Sequence, residues 1–334
     1  MNDKVLEVLE KYDIEVLRSR KGRGTIICET KKGIKVLKEY KGSRERLLQQ
    51  QQLLKEVKKR GFYNIDEILL TKEGDILVQD EEMNSYYLKD YWDGKECNIM
   101  DYRETATAAE QMALLHKTME LPEFVGMQQL ESYSLVKEFE KHNRELVKIR
   151  RYLKEKRQKN DFEYYLYRNY DRFLIKAEKI LEEVKANTKV LGEEEFIKKG
   201  CLCHGDFQHH NVIFSEDRCY IINFEKFVPD SPMRDLSLFF RKMMEKNNWS
   251  KELGQYVLQS YQKQRHISEE EKYQLYYRLS YPEKFWKIAN FYFNTPKTWI
   301  PPKNMEKLEK ILKQEELKFV FLENNFKDGV LRKR

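Results

Sequence analysis

No stretch of the 334 residues approaches the roughly 18 consecutive apolar residues that a membrane helix needs, so no membrane span is expected. The opening MNDKVLEVLEKYDIEVL is amphipathic and charged, unlike a secretory signal, which predicts synthesis in the cytoplasm without a signal peptide. Cysteine is scarce: Cys28, Cys97, Cys201, Cys203 and Cys219 are odd in number and none lies at Cys-x-x-Cys spacing. That argues against a disulfide framework and fits a reducing place of synthesis. Cys201 and Cys203 beside His204 read as alternate positions of a strand entering a loop, and no structural metal is expected there. Nowhere is there a complete Gly-x-Gly-x-x-Gly. Neither sign of charge dominates: 63 Lys and Arg against 56 Asp and Glu leave a net +7. Such a balance suits a phosphate ligand or an acidic partner, and with no RNA- or DNA-binding signature no nucleic acid is expected.

What is present begins with a hydrophobic fraction of 40%, which supports a packed core over two lobes. The informative stretch is 201–241, CLCHGDFQHHNVIFSEDRCYIINFEKFVPDSPMRDLSLFFR. His204-Gly205-Asp206 is followed by Asn211. Two short β-prone runs, Val212-Ile213-Phe214 and Cys219-Tyr220-Ile221-Ile222, are split by the polar Ser215-Glu216-Asp217-Arg218, which predicts a hairpin. Asn223 closes the second strand. The hairpin therefore gathers Asp206, Asn211 and Asn223 at one mouth. Phosphoryl-transfer enzymes of the protein-kinase type use this order of parts: an acid that takes the hydroxyl proton, an Asn on metal, then an Asp on metal. Here the last position is Asn223. Asp235, at the start of an apolar helix, is read either as its N-cap or as a brace for the catalytic loop.

The N-terminal third predicts a small lobe. Residues 4–17 begin with helical spacing. Strands are expected at Thr25–Glu29, Ile34–Lys38, Asp66–Leu70, Asp75–Gln79 and Tyr86–Asp90, giving a five-stranded antiparallel sheet, with a helix over 43–60 capped by Ser43. Gly22 and Gly24 precede the first of these strands, where a phosphate-covering loop would sit; a plain hairpin is the equal alternative. Lys38 stands at the phosphate-pairing position, with a surface lysine as the plain reading. Glu45 is its preferred partner, with Glu56 second. The hinge is placed near 89–97, the small lobe at 1–92 and a helical large lobe at 93–334. Beyond the hinge, helices are expected at 101–119, across 132–186 with a break at 159–161, and at 250–265, 268–280, 282–294 and 303–324. His116 reads as a packed core histidine. The fold class is α+β and bilobal, of the protein-kinase type.

The chain resembles the CotS family of bacterial spore coat proteins, related to the aminoglycoside-phosphotransferase and choline-kinase group. The resemblance rests on Arg23-Gly24, Lys32 to Lys38, Gly61-Phe62, Asp90 to Cys97 with its Gly-Lys-Glu-Cys, and Ala113 to Lys117. It continues with Cys203 to Asp206, Ile222 to Glu225 and the aromatic block from Tyr281 to Trp299. It implies a kinase-like fold, a place in the spore coat and other coat proteins as partners; the 21 tyrosines would then be material for oxidative cross-linking. It also implies ATP and Mg²⁺ as cofactors, with Asp206 as proton acceptor, Asn211 and Asn223 at the metal positions, and Lys38, Gly22 and Gly24 toward nucleotide. Asn223 departs from the active pattern by one negative charge. Glu225, two residues on, would lie on the same side of an extended strand and could return that charge. Two functions stay open: a coat scaffold with impaired catalysis, and an ATP-dependent kinase acting on a small-molecule hydroxyl.

Overall fold

Strand pairing begins one element earlier than expected. In the computed structural model, which describes residues 3–22, 24–126, 130, 134–187, 193–295 and 302–330, helix α1 (Asp3–Glu10) leads into β1 (Val16–Lys21). β1 pairs antiparallel with β2 (Thr25–Thr30). Five of its six residues are exposed, so no apolar alternation marks it as a strand. Gly22 and Gly24 therefore form the β1–β2 turn instead of preceding the first strand. The Gly22 N–H donates to the Thr25 carbonyl at 2.8 Å, closing a turn too short for an extended loop. Arg23 lies outside the described residues.

β2 pairs with β3 (Gly33–Tyr40), and β3 with β6 (Ser85–Asp90). The two strands expected between them shrink to β4 (Ile68–Leu69) and β5 (Val78–Gln79), both on β6. The sheet thus has six strands, ordered β1-β2-β3-β6-β4 with β5 also beside β6. Alternation assigns its faces. Leu37 and Leu88 pack on Val8, Leu9 and Tyr12 of and just after α1. Lys38, Tyr87 and Lys89 take the opposite parity. Helix α2 (Arg44–Lys59) is capped as expected, Ser43 Oγ accepting from the Arg46 N–H at 3.2 Å, and buries Leu47, Leu53, Leu54 and Val57 in the same core as Tyr87.

After β6 the chain crosses to β7 (Lys95–Glu96), which pairs with β9 (Val212–Ser215), itself paired with β10 (Arg218–Ile221). Gly94 lies against this hairpin: a Cβ there would come within 2.4 Å of the Phe214 carbonyl oxygen. The Cys97 N–H then donates to the Val212 carbonyl at 2.9 Å. The Gly-Lys-Glu-Cys segment is in this way a strap from the small lobe onto the hairpin. A second short ladder joins β8 (Leu202–Cys203) to β11 (Val228–Pro229).

Helices make up the rest: α3 (Tyr102–Thr118), α4 (Leu135–Glu155), α5 (Asp161–Ala186), α6 (Glu193–Lys199), α7 (Met233–Lys246), α8 (Lys251–Gln264), α9 (Glu269–Ser280), α10 (Glu283–Asn294) and α11 (Pro302–Val330). The break before α5 is a capping box, Asn160 with Glu163. The aromatic block packs in a second core with α4, α5 and α11, where Phe139 stacks on Tyr281 at 4.1 Å and Phe173 on Phe285 at 4.3 Å. Residues 296–299 of that block lie outside the described residues. The mixed α+β architecture, an antiparallel-sheet lobe on a helical lobe, is the one expected.

Candidate active site

The catalytic-type loop follows β8 and is held from behind by one buried carboxylate. Asp235 Oδ2 accepts the His204 N–H at 2.6 Å and lies 3.2 Å from His116 Nε2, while Oδ1 accepts the Gly205 N–H at 2.9 Å. Burial alone would raise the Asp235 pKa; the bond from His116 and the neighbouring donors outweigh it and hold the group below the usual carboxylate range. The α7 cap position belongs to Pro232, so of its two expected roles Asp235 takes the brace. His116 is a buried core residue, its Nδ1 2.8 Å from Tyr261 Oη, and burial pushes its pKa down. Gly205 has φ +78° and a Cβ there would stand 1.9 Å from the Lys226 carbonyl oxygen, so the loop admits no side chain at this point.

Asp206, Asn211 and Asn223 do meet. Asn211 Nδ2 donates to the Asp206 carbonyl at 2.8 Å, and Asn223 Nδ2 donates to Asn211 Oδ1 at 2.8 Å. The Asp206 carboxylate accepts from Gln208 Nε2 and pairs with Lys226 Nζ at 2.9 Å. Burial raises its pKa, but Lys226 and Gln208 prevail and leave it below the ordinary value. A groove of about 290 Å³ opens beside it, lined by Asp206, Gln208, Arg234, Ser237, Arg241 and Lys287 among others.

Asn223 sits in the left-handed region at φ 72°, ψ 62°, which Asn and Asp tolerate alike. Its N–H donates to Asp66 Oδ2 at 2.9 Å. Its Oδ1 accepts from the ammonium of Lys89, a residue only 2% exposed. Lysine can only donate, so the oxygen of the Asn223 amide must face it. Lys89 is further paired with Asp66 Oδ2 at 2.6 Å and lies 4.0 Å from Glu225 Oε1. Desolvation works against the Lys89 charge; Asp66 and then Glu225 reverse that and raise its pKa.

Lys38 does not pair with Glu45 or Glu56. Its Nζ meets Glu225 Oε1 at 2.5 Å, and the same oxygen accepts from the Tyr87 hydroxyl at 2.5 Å. Glu45 lies exposed in the first turn of α2, off the face carrying Leu47, Gln50 and Leu54, and Glu56 pairs with Lys59 instead. Glu225 is not on an extended strand either: Phe224–Lys226 is a 3₁₀ turn, which rotates its carboxylate toward Lys38. Burial would raise the Glu225 pKa, but Lys89 and Lys38 bring it down to about 2.

A magnesium ion takes oxygen ligands, commonly one or two carboxylates with phosphates and water. The residues here do not fit one. Both amide oxygens are committed, Asn211 Oδ1 to Asn223 and Asn223 Oδ1 to Lys89. Among the described residues no three His, Cys, Asp or Glu side chains are grouped to hold a metal. An ammonium near 4 Å opposes a divalent ion by about 8 kcal/mol at an effective dielectric of about 20, twice the unit-charge value.

Over residues 6–325 the chain matches the family described as "Spore coat putative kinase YutH". The chain belongs to that family. This agrees with the CotS-type resemblance carried by its motifs. Among curated proteins, none matches the chain. Among solved structures it is similar to an aminoglycoside phosphotransferase from Alicyclobacillus acidocaldarius, with 20% identity, TM-score 0.85, and 97% of this chain and 96% of that one covered. It is also similar to a spectinomycin phosphotransferase solved with ADP and spectinomycin (14% identity, TM-score 0.68, 96% and 98% covered). An ethanolamine kinase from Plasmodium vivax stands further off (14%, 0.56, 99% and 86%). At these identities the likeness is one of fold.

In this spore coat family member Lys89 and Asp66, which add a buried ion pair beside Asn223, and Tyr87, which donates to Glu225, are not singled out by the sequence. A signal existed. Lys89 interrupts an apolar-aromatic strand at the same parity as Tyr87, and register places those two opposite Val36 and Lys38. Lys226, the partner of Asp206, carried no such signal.

Proposed function

We propose that this chain is a kinase-fold component of the spore coat with little or no phosphoryl transfer of its own. It would be made in the mother-cell cytoplasm and would act through contacts with other coat proteins. One observation carries the reading: the side chain at the second metal position is an amide whose oxygen is bonded to a buried ammonium. Catalysis of phosphoryl transfer rests almost wholly on positioning and charge, so a metal position held by a fixed cation removes its main source. The β1–β2 turn closed by Gly22 supports the reading, since it leaves little backbone to fold over phosphates.

The test is thermal unfolding of the purified protein with ATP, with and without Mg²⁺, alongside ATP consumption. A ligand near 100-fold above its Kd stabilises by about 2.7 kcal/mol, which is several degrees in a protein of this size. The expected result is no Mg²⁺-dependent rise and no ATP consumed. A Mg²⁺-dependent rise with turnover overturns the proposal.

A second reading, an ATP-dependent kinase for a small-molecule hydroxyl, is favoured by the Asp206 carboxylate, which stays in place at the edge of an open groove. On that reading ATP and Mg²⁺ would be the cofactors, and Asp206→Ala would abolish any turnover found. An unchanged rate in that variant would sink it.

A further inference from the structure

We infer that Lys89 and Asn223 form a matched pair in which a tethered ammonium replaces a divalent cation, so that restoring an acid at position 223 does not by itself restore a metal site. The inference deepens the reading of this mouth as catalytically impaired and rests on it.

Three oxygens face the Lys89 ammonium: Asp66 Oδ2 at 2.6 Å, Asn223 Oδ1, and Glu225 Oε1 at 4.0 Å. They come from the segment after α2 and from the segment after β10, and a parallel bridge between Ile65 and Ile221 brings the two together. The ammonium thus has the surroundings of a bound cation, oxygen from separate parts of the chain, in a place closed to water. It arrives there by strand register. Lys89 is paired with Val36, two residues from the Lys38–Tyr87 pair, and so shares the face that carries Lys38.

Charge explains why the amide and the lysine belong together. Asp66 and Glu225 balance Lys38 and Lys89, and a neutral Asn223 leaves the cluster neutral. The backbone at 223 does not require Asn over Asp, because both accept its left-handed conformation. An aspartate at 223 would leave the cluster one net negative charge, with its carboxylate set against the ammonium already in contact. A metal would still have to approach against Lys89. With Lys89 removed as well, the acids at 66, 223 and 225 against Lys38 leave two negative charges, which suits one divalent cation.

Mn²⁺ alone is the probe, its bound fraction read by electron paramagnetic resonance on the full chain. Asn223→Asp disturbs the fold least, because it keeps the ammonium and its counter-ions. Its Mn²⁺ affinity is expected to match that of the wild type. A tightening of about tenfold or more in this single variant, the scale on which groups around a metal tune its binding, overturns the pair while leaving the proposed function untouched. That function fails separately, on Mg²⁺-dependent ATP turnover by the wild type. The double variant Lys89→Met with Asn223→Asp is expected to bind Mn²⁺ about tenfold or more tightly than Asn223→Asp. A folded double variant that binds Mn²⁺ no better than Asn223→Asp overturns the inference.

Discussion

The two ends of the catalytic-type loop handle buried charge in opposite ways. Behind it, Asp235 spends a buried carboxylate on backbone N–H groups and on His116. In front, Lys89 sets a buried ammonium on the side chains of Asn223 and Asp66. The first arrangement fixes the loop's shape and leaves Asp206 pointing to the groove. The second consumes the groups that chemistry would need. The loop's scaffold and its ion chemistry are therefore separable: a chain can hold the geometry of the first without the second.

The separation is most sharply broken at Asp235. Asp235→Ala strips the acceptor from two backbone N–H groups and from His116, with Asp235, His204 and His116 buried and Gly205 partly so. Each buried donor left unsatisfied costs about 1–3 kcal/mol, and more is lost with a charged acceptor, so a fall of about 3–6 kcal/mol in stability is expected. The urea midpoint measures it. A loss under about 1 kcal/mol, the level of a surface ion pair, would mean that the loop holds its shape by other means, and the comparison would fail at its stronger end.

What sequence reading recovered follows the range of each interaction. The hairpin of β9 and β10 was legible because a polar turn and two apolar runs are local signals, and the Ser43 cap likewise. The Asp235 brace was foreseen only as one of two roles, because a cap is local and a brace spans 31 positions. Strand β1 escaped because it buries almost nothing. The pairing of Lys38 with Glu225 spans 187 positions, and that of Lys89 with Asn223 spans 134. Such contacts depend on strand register and on which face of α2 turns inward, neither of which a single residue announces. Glu45 was the natural local candidate for Lys38 and lost to a distant residue placed by a 3₁₀ turn.

The front end of the comparison can be sharpened by acid. Glu225 has its pKa depressed to about 2 in the folded chain against an unfolded value near the ordinary 4.5. The unfolded chain therefore takes up the proton first as pH falls. The stabilisation is fully present above the unfolded pKa and is lost between about pH 5 and pH 2, amounting to about 3 kcal/mol for a shift of this size. Glu225→Gln removes the titration. Its stability is expected to be lower than wild type at pH 7, with the gap closing toward pH 2 in chemical denaturation run across that window. A gap of constant size would mean that Glu225 is not held ionised by Lys38 and Lys89.

The smallest effect tests whether Asp206 is poised or merely paired. Lys226 is largely exposed, its side chain at 69%, and it is the cation beside the Asp206 carboxylate. An exposed partner contributes about 0–1 kcal/mol, so Lys226→Ala should hardly move the unfolding midpoint. Its effect belongs instead to the carboxyl. With the ammonium gone, burial, which raises the Asp206 pKa, is opposed chiefly by Gln208. The Asp206 pKa is therefore expected to rise in the variant, as read by carboxyl-carbon chemical shift in an NMR titration. A pKa that stays put would assign the depressed value to Gln208 and the loop, and Lys226 would then be a bystander at the groove.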